Sequence, residues 1–348
     1  MNRLISSMVS VLAGTFLFLL PVAPLAAQLQ DQIYLHGRTE AQYMKVIIDE
    51  VSPTIIKYRL NGVSQDKSVN EIKKIKFADE PSRLNSIRLN IFDKMYDQAQ
   101  VSLDMINISD QGNLWVRQDI LFLTALLASR KDKVEGGRLL NDFIENQKDS
   151  YRYYEAVELF GDLAASVGAF DKAAESFRKV GKAPWPEYKN RAAVLEAGAL
   201  VGSGDHAAAL TRYEAVAALD PSNEQMRTLI AQALAGKARC LGATGLADQG
   251  LKLAEKIIKD NDPKTRQKLM AQAYNAQGAC YLAKKQPKDA LIAYLHTSEL
   301  FYQDRDTHAE ALYQLSMLWE VVKKSGEANR VRDLLRERYG DSVWAKKL

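Results

Sequence analysis

The sequence predicts a mainly α-helical protein, an α-solenoid of about seven helical hairpins preceded by a small β-rich module. Three observations predict it. From Tyr274 to Leu300 the chain reads Tyr-x2-Gln-Gly-x2-Tyr, then eight residues, then Ala290-x3-Tyr294. That spacing suits two packed antiparallel helices, with Gly278 and Ala290 where the helices come closest and Tyr274, Tyr281 and Tyr294 filling the space around them. The same order of small and large residues recurs, with the small position of the second helix filled by Ala99, Gly136, Ala173, Ala209, Gly250, Ala290 and Val331 at steps of 36 to 41 residues. Turn signals fall between the paired helices at Gly168, Gly204-Asp205, Gly245 and Gly326. Apolar residues every three or four positions would suit an ordinary bundle equally well, and it is the recurrence of Gly and Ala at matched places that selects a solenoid.

Residues 1–27 read as a cleavable signal peptide. Arg3 is the only charge before Asp31, Met8 to Leu20 is apolar apart from Ser10 and Thr15, and the segment ends in Leu25-Ala26-Ala27. Prolines interrupt the apolar run before it reaches the ~20 residues of a membrane anchor, and no later stretch is apolar enough to span a bilayer. With no Cys near the cleavage site, lipid attachment is not expected. The mature chain is predicted to be soluble and periplasmic or secreted.

Residues 28–80 carry the β pattern. Short strands are expected at Ile33 to Leu35, Gln42 to Val51, Thr54 to Leu60 and Val69 to Phe77, with Ser52-Pro53 and Asn61-Gly62 as turns. Helices should begin near Asp79-Glu80-Pro81-Ser82, with Ser82 as N-cap, and run from residue 81 to 348.

The helical part resembles the tetratricopeptide repeat. Besides Tyr274 to Tyr294, the stretch from Gly204-Asp205 through Ala209, Tyr213 and Val216 to Leu219-Asp220-Pro221-Ser222-Asn223 matches that family's second helix and its closing Asp-Pro-x-Asn. Phe160-Gly161, Gly168, Ala173, Phe177 and Val180 form a third good copy; the first and last copies are the most degenerate, as capping units are. The resemblance implies a binding protein of the exported bacterial envelope type. The order of the β pattern is similar to small SH3-like or Sm-like modules that precede helical repeats in some envelope proteins. The ending Arg338-Tyr339-Gly340-Asp341-Ser342-x-Trp344-Ala345 resembles the closing segment of envelope repeat proteins that serve outer-membrane assembly or cell-wall machinery.

Charge and motifs exclude several functions. The chain has 47 Lys and Arg against 43 Asp and Glu, spread without the dense basic blocks of a nucleic-acid-binding surface. The densest run, Lys73-Lys74 with Lys76, reads as the solvated face of a strand. His36, His206, His296 and His308 lack metal-site spacing, and no nucleophile elbow, phosphate loop or Cys-His pairing occurs, so no catalytic residue, metal or cofactor is expected. Cys240 and Cys280 stand 40 residues apart at matched places on neighbouring first helices. Helix axes there lie ~8–10 Å apart, too far for a disulfide, so two buried thiols are expected. Trp185, between two prolines, should cover apolar surface of the third and fourth units.

Binding remains. In the tetratricopeptide family the first helices line a concave groove. The matched groove positions here include Arg191, Gln232, Arg239, Gln272, Asn275, Tyr313 and Glu320, among small residues such as Gly198, Ala235 and Ala279, with Ser316 also placed in the groove. The family's carboxylate-clamping set of Lys, Asn and Arg is absent. Arg239, Gln272 and Asn275 are expected to contact a protein or peptide partner, making the chain a non-enzymatic scaffold or adaptor. The competing expectation is an accessory subunit whose β module binds a polysaccharide or nucleic-acid-like ligand while the repeats hold an enzyme.

Overall fold

The structure, a computed structural model, describes residues 30–348; the signal peptide expected over residues 1–27 lies outside the described residues. Five antiparallel strands come first: β1 (Asp31–Leu35), β2 (Tyr43–Val51), β3 (Ile55–Leu60), β4 (Val63–Ser68) and β5 (Ile72–Lys76), in the order β4-β3-β2-β1-β5. Alternation places Ile33, Val46, Ile48, Ile56, Tyr58 and Ile75 on the buried face. Asn61 and Gly62 both take positive φ, 54° and 80°, as a two-residue hairpin of the primed type demands. That turn creates β4, which carries almost no apolar pattern and pairs along its whole length with β3, from Ile55 opposite Ser68 to Leu60 opposite Val63. The strand expected from Val69 is instead a 3-10 turn over Val69–Glu71 followed by β5. Within β5, Lys74 is not solvated as expected. Its ammonium lies 4.5 Å from the centre of the Tyr34 ring and 2.7 Å from Glu40.

Fourteen helices follow among the described residues, in seven antiparallel pairs: α1 (Ser82–Phe92) with α2 (Tyr96–Asp104), α3 (Leu114–Lys131) with α4 (Lys133–Asn146), α5 (Tyr153–Ser166) with α6 (Phe170–Val180), α7 (Pro186–Ser203) with α8 (His206–Ala217), α9 (Glu224–Ala243) with α10 (Ala247–Asp260), α11 (Gln267–Ala283) with α12 (Pro287–Leu300), and α13 (Arg305–Val321) with α14 (Ser325–Tyr339). The small residue is the fourth of every second helix. Against it, glycine is needed where backbones meet: a Cβ on Gly136 would lie 2.3 Å from Ser129 Cα, and one on Gly250 would lie 2.5 Å from the Ala238 carbonyl oxygen. At Gly278 the neighbour is the Tyr294 ring, whose Cε2 would be 2.6 Å from such a Cβ.

The last pair corrects the expected register. The fourth residue of α14 is Ala328, fully buried, so the last step is 38 residues and Val331 lies one turn further on. Five residues before the small position, six of the seven pairs hold a residue in the left-handed region: Lys94, Gly168, Gly204, Gly245, Lys285 and Lys323, with φ between 57° and 89°. The turn of the last pair is therefore at Lys323, while Gly326 lies inside α14. Each such turn is closed by a six-residue backbone bond, such as Asp205 N–H to Leu200 O at 2.9 Å and Lys324 N–H to Trp319 O at 2.8 Å.

The β module and the first helices share one continuous core. Phe77 faces Trp115 with ring centres 6.0 Å apart, and Trp185, buried against Tyr154 and Tyr188, donates its indole N–H to Ser68 Oγ at 2.6 Å. Trp185 thus joins the module to the third and fourth pairs as well as covering them. Helix α1 is preceded by Pro81, and Ser82 does not cap it. Glu80 turns inward instead and pairs with Arg88 at 2.8 Å. Arg88 reaches one oxygen of the fully buried Asp119 at 2.6 Å and Arg152 the other at 2.8 Å, and Tyr151 O–H donates to the oxygen that Arg152 holds, at 2.9 Å.

Candidate partner-binding chamber

The contact residue of each first helix lies twelve positions before the small residue of its partner, which gives Gly161, Ala197, Ala238, Gly278 and Ser316 in the last five pairs. Helical geometry puts the residues six before, three before and one after it on a single face. In α5 to α13 that face turns toward a chamber of about 1250 Å³. Asp162 lines it from α5, Val194 and Gly198 from α7, Gln232, Ala235 and Arg239 from α9, Gln272 and Asn275 from α11, and Glu310 and Tyr313 from α13. Five of the seven sequence-predicted residues therefore share one cavity: Gln232, Arg239, Gln272, Asn275 and Tyr313.

Arg191 and Glu320 are not part of the lining. Arg191 pairs with Glu158 at 2.5 Å and stacks 4.5 Å over the Tyr188 ring. Glu320 sits at the outer end of α13, bound by Arg332 at 2.9 Å and by the Ser325 hydroxyl at 2.9 Å. Ser316, also placed in the groove by the sequence pattern, is buried between α13 and α14. The displacements of Glu320 and Ser316 follow from the three-residue slip in the last pair; Arg191 is held by its own contacts to Glu158 and Tyr188. The residue missed in consequence is Glu310, which occupies the place first given to Tyr313.

Glu310 organises the chamber wall. Its carboxylate lies 2.6 Å from Arg239 Nη1 and accepts from the Asn275 side-chain amide at 3.3 Å, while that amide also donates to the Thr307 carbonyl at 2.9 Å. One α13 residue thus ties together α9 and α11. The amide oxygens of Asn275 and Gln272 and the His206 Nδ1 are buried and have no partner among the described residues. On α5, partial removal from water pushes the Asp162 carboxyl up to about 6, with Glu158 one turn earlier adding to the shift.

The tail after α14 completes the lining through Asp341, Ser342, Val343, Trp344 and Lys347. A smaller depression of about 350 Å³ lies between α10, α11 and α12, around Tyr274, Tyr281, Ile292 and His296, and shares no residue with the chamber. Among the described residues no group of three or more His, Cys, Asp and Glu is placed to hold a metal ion, and no helix is long and apolar enough to cross a membrane. Cys240 and Cys280 are free and buried, and burial pushes both thiols up to about 11.

This architecture is that of a tetratricopeptide-like α-solenoid with an N-terminal five-stranded sheet. No protein-family model matches the chain, and no curated protein matches it in sequence. In structure it is similar to a tetratricopeptide repeat protein from Parabacteroides merdae, with a TM-score of 0.58 and 11% identity over 76% of this chain and 96% of that one. It is also similar to NprR in complex with its cognate peptide NprX, with a TM-score of 0.51 and 15% identity over 73% of this chain and 77% of that one.

Proposed function

We propose that this chain is an exported, non-enzymatic scaffold of the bacterial cell envelope that binds a segment of a partner protein or peptide inside the chamber. The observation that carries the reading is a cavity built from one face of five successive first helices and lined by the polar side chains of Gln232, Arg239 and Gln272. An extended or helical segment lying along that face would meet side-chain amides able to hydrogen-bond its main chain. The similarity in fold to NprR, which is seen with a peptide, supports a polypeptide occupant. The signal-like sequence pattern of residues 1–27 supports export.

Arg239 and Asn275 cannot serve as silent probes, because both hold Glu310. Gln232 and Gln272 can. Replacing both with Ala should leave melting within about 0.5 kcal/mol of the parent yet weaken binding of the partner isolated from the native host by more than ~1 kcal/mol. Unchanged affinity at unchanged stability would move the binding surface out of the chamber. Export has its own test, since the intact mass of the native protein should lack the first 27 residues.

A further inference from the structure

The tail occupies part of the chamber it closes. Beyond Gly340 the Asp341 carboxylate pairs with Lys133 at the start of α4, at 2.8 Å, and with Arg305 at the start of α13. Val343 reaches the turn between α5 and α6, where a Cβ on Gly168 would lie 3.2 Å from its Cγ1. The Trp344 ring packs on Tyr313, an inward position, with centres 5.5 Å apart. The seventh pair is thereby joined to the second and third. Trp344 and Ala345 also pack against the core of the last two pairs, and Ser342 is buried, but the ionic ties are light: the side chains of Lys133, Asp341 and Arg305 are 29%, 51% and 53% exposed. Ion pairs so exposed contribute little and are screened by salt. A segment whose first residue is held only by exposed ion pairs, and whose ring is seated on an inward aromatic in a cavity lined by polar side chains, has the properties of an intramolecular ligand.

We propose that the tail is a stand-in for the partner. The end of the chamber formed by Lys133, Arg305 and Tyr313 is a subsite for a polypeptide segment that presents a carboxylate followed three residues later by an aromatic ring. A partner carrying that pair displaces Asp341 and Trp344 into water. This rests on the chamber being a polypeptide-binding site.

The test uses a fluorescein-labelled peptide of residues 340–348. A chain ending at Tyr339 should bind it saturably. The full-length chain should bind it at least ~10-fold more weakly, because its own tail competes at high effective concentration. Peptides carrying Asp341→Lys or Trp344→Ala should lose at least ~10-fold in affinity, about 1.4 kcal/mol. If the shortened chain does not fold, the full-length chain carrying Asp341→Lys and Trp344→Ala frees the same subsite and takes its place. A folded chain of either kind that shows no saturable binding, or that binds the altered peptides as well as the native one, overturns the proposal. Peptide binding lost while partner binding still depends on Gln232 and Gln272 overturns the stand-in alone. Peptide binding retained while the partner ignores those residues upholds the subsite and overturns the reading of the wider chamber.

Discussion

Lys323 holds a backbone conformation that suits glycine. At φ 59° it occupies the same place as Gly168, Gly204 and Gly245, and an L-residue there costs roughly 1–2 kcal/mol. Lys323→Gly should therefore stabilise the protein by about 0.5–1 kcal/mol, read as a raised urea midpoint at constant slope. A lowered midpoint would mean that the Lys323 side chain makes contacts worth more than the strain. The same residue explains what the sequence hid. A turn glycine announces itself, as Gly204 does, whereas a lysine in the left-handed region looks like any surface lysine. With Gly326 taken for that turn, the last pair slips by three residues, and Tyr313 is given the place that Glu310 holds.

Helices α1, α3 and α5 are coupled by Asp119. Burial alone would raise its pKa, but the Arg152 and Arg88 guanidiniums overcome that and hold it at about 2, below the ~3.9 of an unfolded Asp. A carboxyl depressed on folding contributes stability that is fully present above pH ~4 and is lost as pH falls from there toward about 2. Asp119→Ala leaves two buried guanidiniums short of their counter-charge and should cost about 3–5 kcal/mol at neutral pH. The same variant should show a flatter loss of stability between pH ~4 and 2 than the parent; an equal slope would assign the acid sensitivity to other carboxylates. This network was not legible, because Glu80, Arg88, Asp119 and Arg152 are scattered over 72 residues and each reads alone as a surface charge. Strand β4 was missed for a related reason. An edge strand with one polar face open to water needs no apolar alternation, and only the Asn61-Gly62 turn betrays it.

Across the whole molecule, the repeat made the fold readable. Each pair contacts its neighbours, so one well-formed copy such as Tyr274 to Tyr294 sets the search for the rest. The chamber was legible to the same degree: matched positions on α9 and α11 placed Gln232, Arg239, Gln272 and Asn275 on one wall, but only the structure shows that Arg239 and Asn275 are already engaged with Glu310. The closure of the seventh pair onto the second and third by the tail has no repeat signature and could not be read from the chain. The same holds for the sharing of one core between the sheet and the first helices, which means that the sheet and the solenoid act as a unit.

A polypeptide segment bound on the inward face is within reach of site-specific photo-crosslinking. A photo-reactive side chain at Gln272, inside the chamber, and another at Ile292, in the outer depression, sample the two faces of neighbouring helices. In the native host the Gln272 probe should capture a discrete polypeptide, with the crosslink mapping to a short contiguous segment, while the Ile292 probe should capture nothing at comparable yield. Capture of the same polypeptide at Ile292, with none at Gln272, would place the binding face on the outside of the solenoid.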